Sequence, residues 1–196
     1  MKMAWSVIFL AALLWSGIAP KDRITWVLEV FPAVAGALVL AFTYRRFRLT
    51  GLVYALILFH CLVLMVGGHY TYAEVPGFDG LFGSTRNNYD KLGHFVQGFV
   101  PALIARELFI RKHVVADTGW RNFLIVCFCL AFSAFYELIE WVVALASGED
   151  AVAFLGTQGY IWDTQSDMAL ALLGAIVALL TLGGLHDRQL RALQPA

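Results

Sequence analysis

The chain has 196 residues, of which 60% are hydrophobic and only 14% charged, with a formal net charge of zero and a mean hydropathy of +0.73. A typical soluble domain is about a quarter charged; this much apolar surface cannot be buried in one soluble core of this size, so the composition points to an integral membrane protein. The balanced charge gives no reason to expect a nucleic-acid partner.

Six apolar segments approach the ~20 residues that cross a bilayer at 1.5 Å per residue. The first, 4–19, follows Lys2 and ends at Pro20; it reads as a retained helix, because no small-x-small cleavage site precedes Pro20-Lys21-Asp22-Arg23. The second, 24–44, carries Glu29 and Pro32, and the third, 50–72, carries His60 and His69. The fourth is 90–110, the fifth 122–146 with Glu137 and Glu140, and the sixth 163–185 with Asp163 and Asp167. The expected fold is therefore all-α: a single transmembrane domain over 1–196, a bundle of six helices, with no internal repeat. The connection 73–89 is rich in turn formers, and 147–162 is a second modest loop.

Lys and Arg set the expected orientation. Lys2, Arg45, Arg46, Arg48, Arg106, Arg111, Lys112, Arg121, Arg188 and Arg191 fall on one side of a six-span bundle; only Lys21, Arg23, Arg86 and Lys91 fall on the other. Both termini are thus expected in the cytoplasm of a multi-pass inner-membrane protein. Trp120, Trp141 and Trp162 lie near the expected interfaces. Cys61, Cys127 and Cys129 sit in apolar runs and read as buried hydrophobes rather than a disulfide or metal framework.

With this topology the polar residues converge at the outer end. Asp90, His94 and Gln97 follow one another at i, i+4 and i+7 on one helical face. Glu137 and Glu140 are paired at i, i+3, and Asp163 and Asp167 at i, i+4. His69 and Glu29 have the right depth to join them. Intramembrane acids are expensive and functional by default. This many carboxylates in a low-dielectric pocket need protons or cations to neutralise them, and Arg86 and Lys91 are too few. A divalent metal (Zn, Mn or Mg) held by Asp90, His94, Glu137, Asp163 and Asp167 is one solution. Plainer readings stand beside this one. Asp90 and Asp163 can simply cap their helices; His60, with no polar company at mid-membrane, reads as a packing group; Arg106 and Glu107 pair or snorkel near the inner end. Gly93, Gly98 and Gly174 would let helices approach closely.

Three segments carry a family resemblance: Asn88-Tyr89-Asp90-Lys91-Leu92-Gly93-His94-Phe95, Tyr136-Glu137-Leu138-Ile139-Glu140-Trp141, and Leu155-Gly156-Thr157-Gln158-Gly159 through Trp162-Asp163-Thr164-Gln165-Ser166-Asp167-Met168. Over roughly residues 50–185 the chain resembles the YjdF-like family of bacterial inner-membrane proteins. That implies an inner-membrane location and no particular activity. More distantly, Asp90-Lys91-Leu92-Gly93-His94, Glu137 and Asp163/Asp167 resemble the pattern of VanZ-like membrane proteins, which are linked to glycopeptide-antibiotic resistance. The chain departs from that pattern at Ala171, where an Asn is usual, and at Glu140, where a Gln is common.

The expected function is a membrane-embedded metal-dependent hydrolase or transferase acting on a lipid or cell-envelope substrate. Asp90, His94, Glu137, Glu140 and Asp167 would do the chemistry, and Arg86, Lys91, Gln97 and Gln158 would hold the substrate. The alternatives are a structural or partner-binding membrane protein whose polar cluster locks helices, or a small cation or proton transporter. Against transport stands an inner half expected to be poor in polar groups apart from His60.

Overall fold

The computed structural model of the chain describes residues 2–80, 86–147 and 158–193. Among these there are six helices: α1 (Lys2–Gly17), α2 (Arg23–Thr43), α3 (Gly51–Tyr70), α4 (Tyr89–Arg111), α5 (Thr118–Ser147) and α6 (Asp163–Leu193). No strand occurs among the described residues; an isolated bridge joins Asp79 and Asn87. Most of the loop expected at 147–162 lies outside the described residues, as does Gly83-Ser84.

The helix ends follow from local chemistry. Asp22 caps α2, its Oδ1 accepting the Thr25 N–H at 2.6 Å; with its carboxylate stabilised in this way, its pKa lies below the ordinary 3.8. Thr50 caps α3 through its hydroxyl. Asp117 Oδ1 accepts the Trp120 N–H at 2.8 Å, which starts α5 four residues earlier than the hydropathy suggests. The third helix stops at Tyr70, short of the expected 72, because Thr71 and Tyr72 turn left-handed at φ 58° and 57°. That turn folds the Tyr72 ring back over Gly67, where a Cβ would meet the ring at 2.2 Å. The sixth helix runs eight residues past the expected Leu185, because its polar tail still buries His186 and Leu190.

The helices alternate in direction, and α4 is the centre. It packs on α3, α5 and α6, while α2 and α1 both lean on α3. The α4–α6 pair is the closest: a Cβ on Gly98 would stand 1.8 Å from the Ala171 carbonyl oxygen, and one on Gly174 would stand 2.1 Å from that of Phe95. Small residues at both positions let the two backbones touch, as the sequence suggests. Pro32 and Pro101 lie inside α2 and α4, as prolines do in helices whose freed backbone groups are shielded from lipid by neighbours.

Four helices, α2, α3, α5 and α6, are long and apolar enough to cross a membrane. The 16 residues of α1 form a shorter apolar helix. The central α4 has 23 residues and is less apolar because it carries Asp90, His94, Gln97, Arg106 and Glu107, all of which are buried. The outside is correspondingly greasy. Phe31, Phe42, Phe123, Phe135, Trp141 and Leu180 are exposed, as on a surface facing lipid. Cys61 and Cys129 are buried as expected, but Cys127 is exposed: on α5 it falls on the outward face, two residues from its inward neighbour.

Candidate functional site

The site is built on the first turn of α4. Asn88 precedes that helix without a side-chain cap bond; instead Asn87 Oδ1 accepts the Tyr89 N–H at 3.1 Å. Asp90 is thus not the cap of its helix, and its carboxylate is left for the cluster. Asn87 is itself held on several sides. Its amide donates to the Val75 carbonyl and to Asp79, and its backbone exchanges two hydrogen bonds with the Gln158 amide. Tyr89 anchors the turn by donating to the Val63 carbonyl at 3.0 Å and by packing on Tyr72 and Phe78.

One turn on, the His94 ring sits among carboxylates from three helices. Its Nε2 is 3.4 Å from Asp90 Oδ1 and 3.9 Å from Asp167 Oδ2, and its Nδ1 is 3.9 Å from Glu137 Oε1. Nδ1 also lies 3.0 Å from Gln97 Oε1. An amide oxygen only accepts, so Nδ1 donates to it, while Nε2 faces Asp90 and Asp167. Ligand atoms from Asp90, His94 and Asp167 lie within 4.8 Å of one another, and all three residues are buried. Glu137 Oε1 is buried with no hydrogen-bond partner among the described residues. The expected set of five ligands is therefore gathered unevenly. Asp90, His94 and Asp167 make one compact triad; Glu137 flanks the opposite ring nitrogen; Asp163 is drawn off by Arg86, whose Nη1 donates to its Oδ1.

Arg86 also faces Asp90 at 3.5 Å, so it bridges α4 to α6. Its guanidinium and the Lys91 ammonium lie 5.3 and 5.8 Å from the Tyr160 ring centroid, which forms a cationic rim beside the acids. The charge is not balanced. Asp90, Glu137, Glu140, Asp163, Asp167 and Glu29 are all buried, against the buried guanidinium of Arg86 and the single imidazole of His94.

Glu29 does belong to the cluster. It shares a cavity of about 260 Å³ with Asp90, His94 and Glu140, and the Tyr72 and Tyr136 hydroxyls reach it. His69 does not. Its Nδ1 bonds the Ser16 carbonyl at 2.9 Å and its ring stacks on Trp15, which fastens the α1–α2 corner to the end of α3. Gln97 orients His94, and Gln158 spends its amide on the backbone of Asn87. His60 lines the same cavity at mid-depth.

The opposite end of the bundle corrects the expectation of few polar groups there. Glu107 and His186 are both 0% exposed. Glu107 accepts from the Thr50 N–H and hydroxyl and from Arg111, and lies 3.1 Å from His186 Nε2. Arg106 lies 3.2 Å from His186 Nδ1 and donates to Asp187 at 2.7 Å. This network clamps the start of α3 to α4 and α6, and every charge in it is paired, which makes it a structural device. His186 sits just beyond the expected end of the sixth helix, so hydropathy alone hid it. Tyr72 was likewise missed, since only the left-handed turn sends its ring into the cavity.

A family model described as "Predicted membrane protein (DUF2238)" matches residues 1–188. The Inner membrane protein YjdF of Escherichia coli (strain K12) is 53% identical over 182 residues, covering 91% of this chain and 87% of that protein. No solved structure matches.

Proposed function

The chain belongs to the DUF2238 family of multi-pass inner-membrane proteins, and from that premise we propose that it is a metal-dependent hydrolase or transferase acting on a lipid or cell-envelope precursor. The observation that carries this reading is the buried Asp90–His94–Asp167 triad, with His94 Nε2 aimed between two carboxylates and its other nitrogen fixed by Gln97. A histidine held this way by an outer partner is the usual form of a metal ligand. One imidazole and two carboxylates suit zinc or manganese better than an all-oxygen ion such as magnesium. A metal bound there would polarise a phosphoryl or carbonyl oxygen, or lower the pKa of a bound water.

The remaining groups take roles around that centre. Glu137 and Glu140 stand on one face of α5 and supply a proton acceptor or donor beside the reacting group. Arg86 holds Asp163 and steadies Asp90. Lys91, on the rim at Tyr160, offers a positive charge to an anionic part of the substrate. The choice of a lipid or envelope substrate rests on the cavity beside the triad and not on the VanZ-like resemblance. Both termini on the cytoplasmic side, with the triad at the outer leaflet, belong to the same proposal and rest on the distribution of Lys and Arg.

A second reading has its own observation. Arg86 bridges Asp90 on α4 to Asp163 on α6, so the cluster also serves as a lock between helices. Metal content of the detergent-purified protein separates the two, measured by plasma mass spectrometry beside His94→Ala and Asp167→Ala. The enzyme reading expects about one metal per chain in wild type, lost in both variants while they stay folded. A folded wild type that takes up no metal after incubation with Zn, Mn and Mg would overturn it and leave the helix lock.

A further inference from the structure

The cavity at the triad is not a simple bowl. Its polar end is formed by Glu29, Asp90, His94 and Glu140. From there it runs down α4 past Val100 and Pro101 to Ile104, between walls that are apolar at Ala33, Ile57 and Leu64 and carry His60 at mid-depth. The stretch from Asp90 to Ile104 along α4 is roughly 21 Å at 1.5 Å per residue, well over half of a ~30 Å hydrocarbon core. The slot also has an open side. On that side α2 packs on α3, and α5 packs on α4 and α6, but the α2 and α5 backbones stay apart and the Tyr136 hydroxyl reaches across to Glu29. Phe132, which lines the cavity from α5, is 41% exposed to the outside. Opposite it on α2, a Cβ added at Gly36 would meet nothing within 4 Å. A gap in this position opens onto lipid tails, not onto water.

We infer that this slot takes one acyl chain of a phospholipid, admitted sideways between α2 and α5. The tail is argued from the slot's length, its apolar walls and its lateral mouth. The phosphate of such a lipid would lie toward Lys91 and Arg86, which stand at the rim by Tyr160. Tail burial fixes the head beside Asp90, His94 and Asp167, so the substrate class follows from the shape. This deepens the enzyme reading and rests on it for the chemistry, but the binding event stands separately.

The test uses the full chain in proteoliposomes. The probe is a phosphatidylethanolamine with a photoreactive diazirine midway along one acyl chain, and crosslinks are mapped by mass spectrometry. Wild type is expected to be labelled at slot residues, Pro101, Ile104 and Phe132 foremost. Unlabelled phosphatidylethanolamine should compete for the slot. Gly36→Phe fills the slot from an open position and is expected to lower slot labelling at least tenfold, while labelling of outward residues such as Phe135 persists. Gly36→Leu is the milder variant should the larger ring hinder folding. Slot labelling unchanged in the filled variants would overturn the tail site. Metal content measured on the same samples keeps the readings apart. Metal bound with no slot labelling sinks only the lipid inference, and slot labelling without metal sinks only the metal.

Discussion

Replacing Gly98 with Ala should damage both the fold and the site, though it adds one methyl group. In a helix that change ordinarily stabilises by up to about 1 kcal/mol. Here the new Cβ would stand 1.8 Å from the Ala171 carbonyl oxygen and 2.7 Å from Ala171 Cα, where side chains essentially never come closer than 3.0 Å. The obstacle is backbone on a packed helix, so no rotamer change relieves it; α4 and α6 must part by about 1 Å or more, as overpacked interiors do. Overpacking costs about 1–3 kcal/mol, and for a chain of this size that lowers the unfolding temperature by roughly 2–12 °C. The displacement has a second effect. His94 lies one turn from Gly98 on α4, and Asp167 lies one turn from Ala171 on α6, so widening the crossing stretches the 3.9 Å His94–Asp167 separation. Gly183→Ala on α6 is the control, because a Cβ there meets nothing within 4 Å. Thermal unfolding in one detergent, with metal content on the same samples, checks the reasoning. If Gly98→Ala melts with wild type and with Gly183→Ala, the close crossing of α4 and α6 is wrong.

Two further outcomes follow from groups far from the triad. Glu107→Ala removes the acceptor shared by Thr50, Arg111 and His186 and should cost about 3–5 kcal/mol, as loss of one buried partner does. It lies roughly 20 Å along α4 from His94, so it should lower the unfolding temperature and leave the metal stoichiometry unchanged; loss of metal would mean that the two ends are coupled. Asp22→Ala should cost about 1 kcal/mol as a lost helix cap. The Asp22 carboxyl titrates below 3.8 in the folded chain, so its contribution is present above that value and fades as pH falls through the lowered one. The gap in unfolding temperature between wild type and Asp22→Ala should therefore be full at pH 7 and close below pH 4. A gap independent of pH would show that charge has no part in the cap.

Much of this protein is written in the order of its residues. The six apolar stretches fix six helices because a chain in lipid must satisfy its backbone internally. Once the helices alternate in direction, the depth of each polar residue follows from its position along its helix. That alone brings Asp90, His94, Glu137, Glu140 and Asp167 to one end. Depth is a single coordinate, however, and ligation needs three. Glu29 and His69 sit at similar depth, yet Glu29 faces the cavity while His69 turns to Trp15 and the Ser16 carbonyl. Asp163 and Asp167 are one turn apart, yet Arg86 takes the first and the triad keeps the second. The Glu107–His186 pair joins residues 79 positions apart and depends on which helices are neighbours in the plane. The gap between α2 and α5 depends on the same thing. Hydropathy and charge determined which groups are buried and at what height. Helix neighbours and helix rotation, set by close contacts such as Gly98 on Ala171, decided which of them meet.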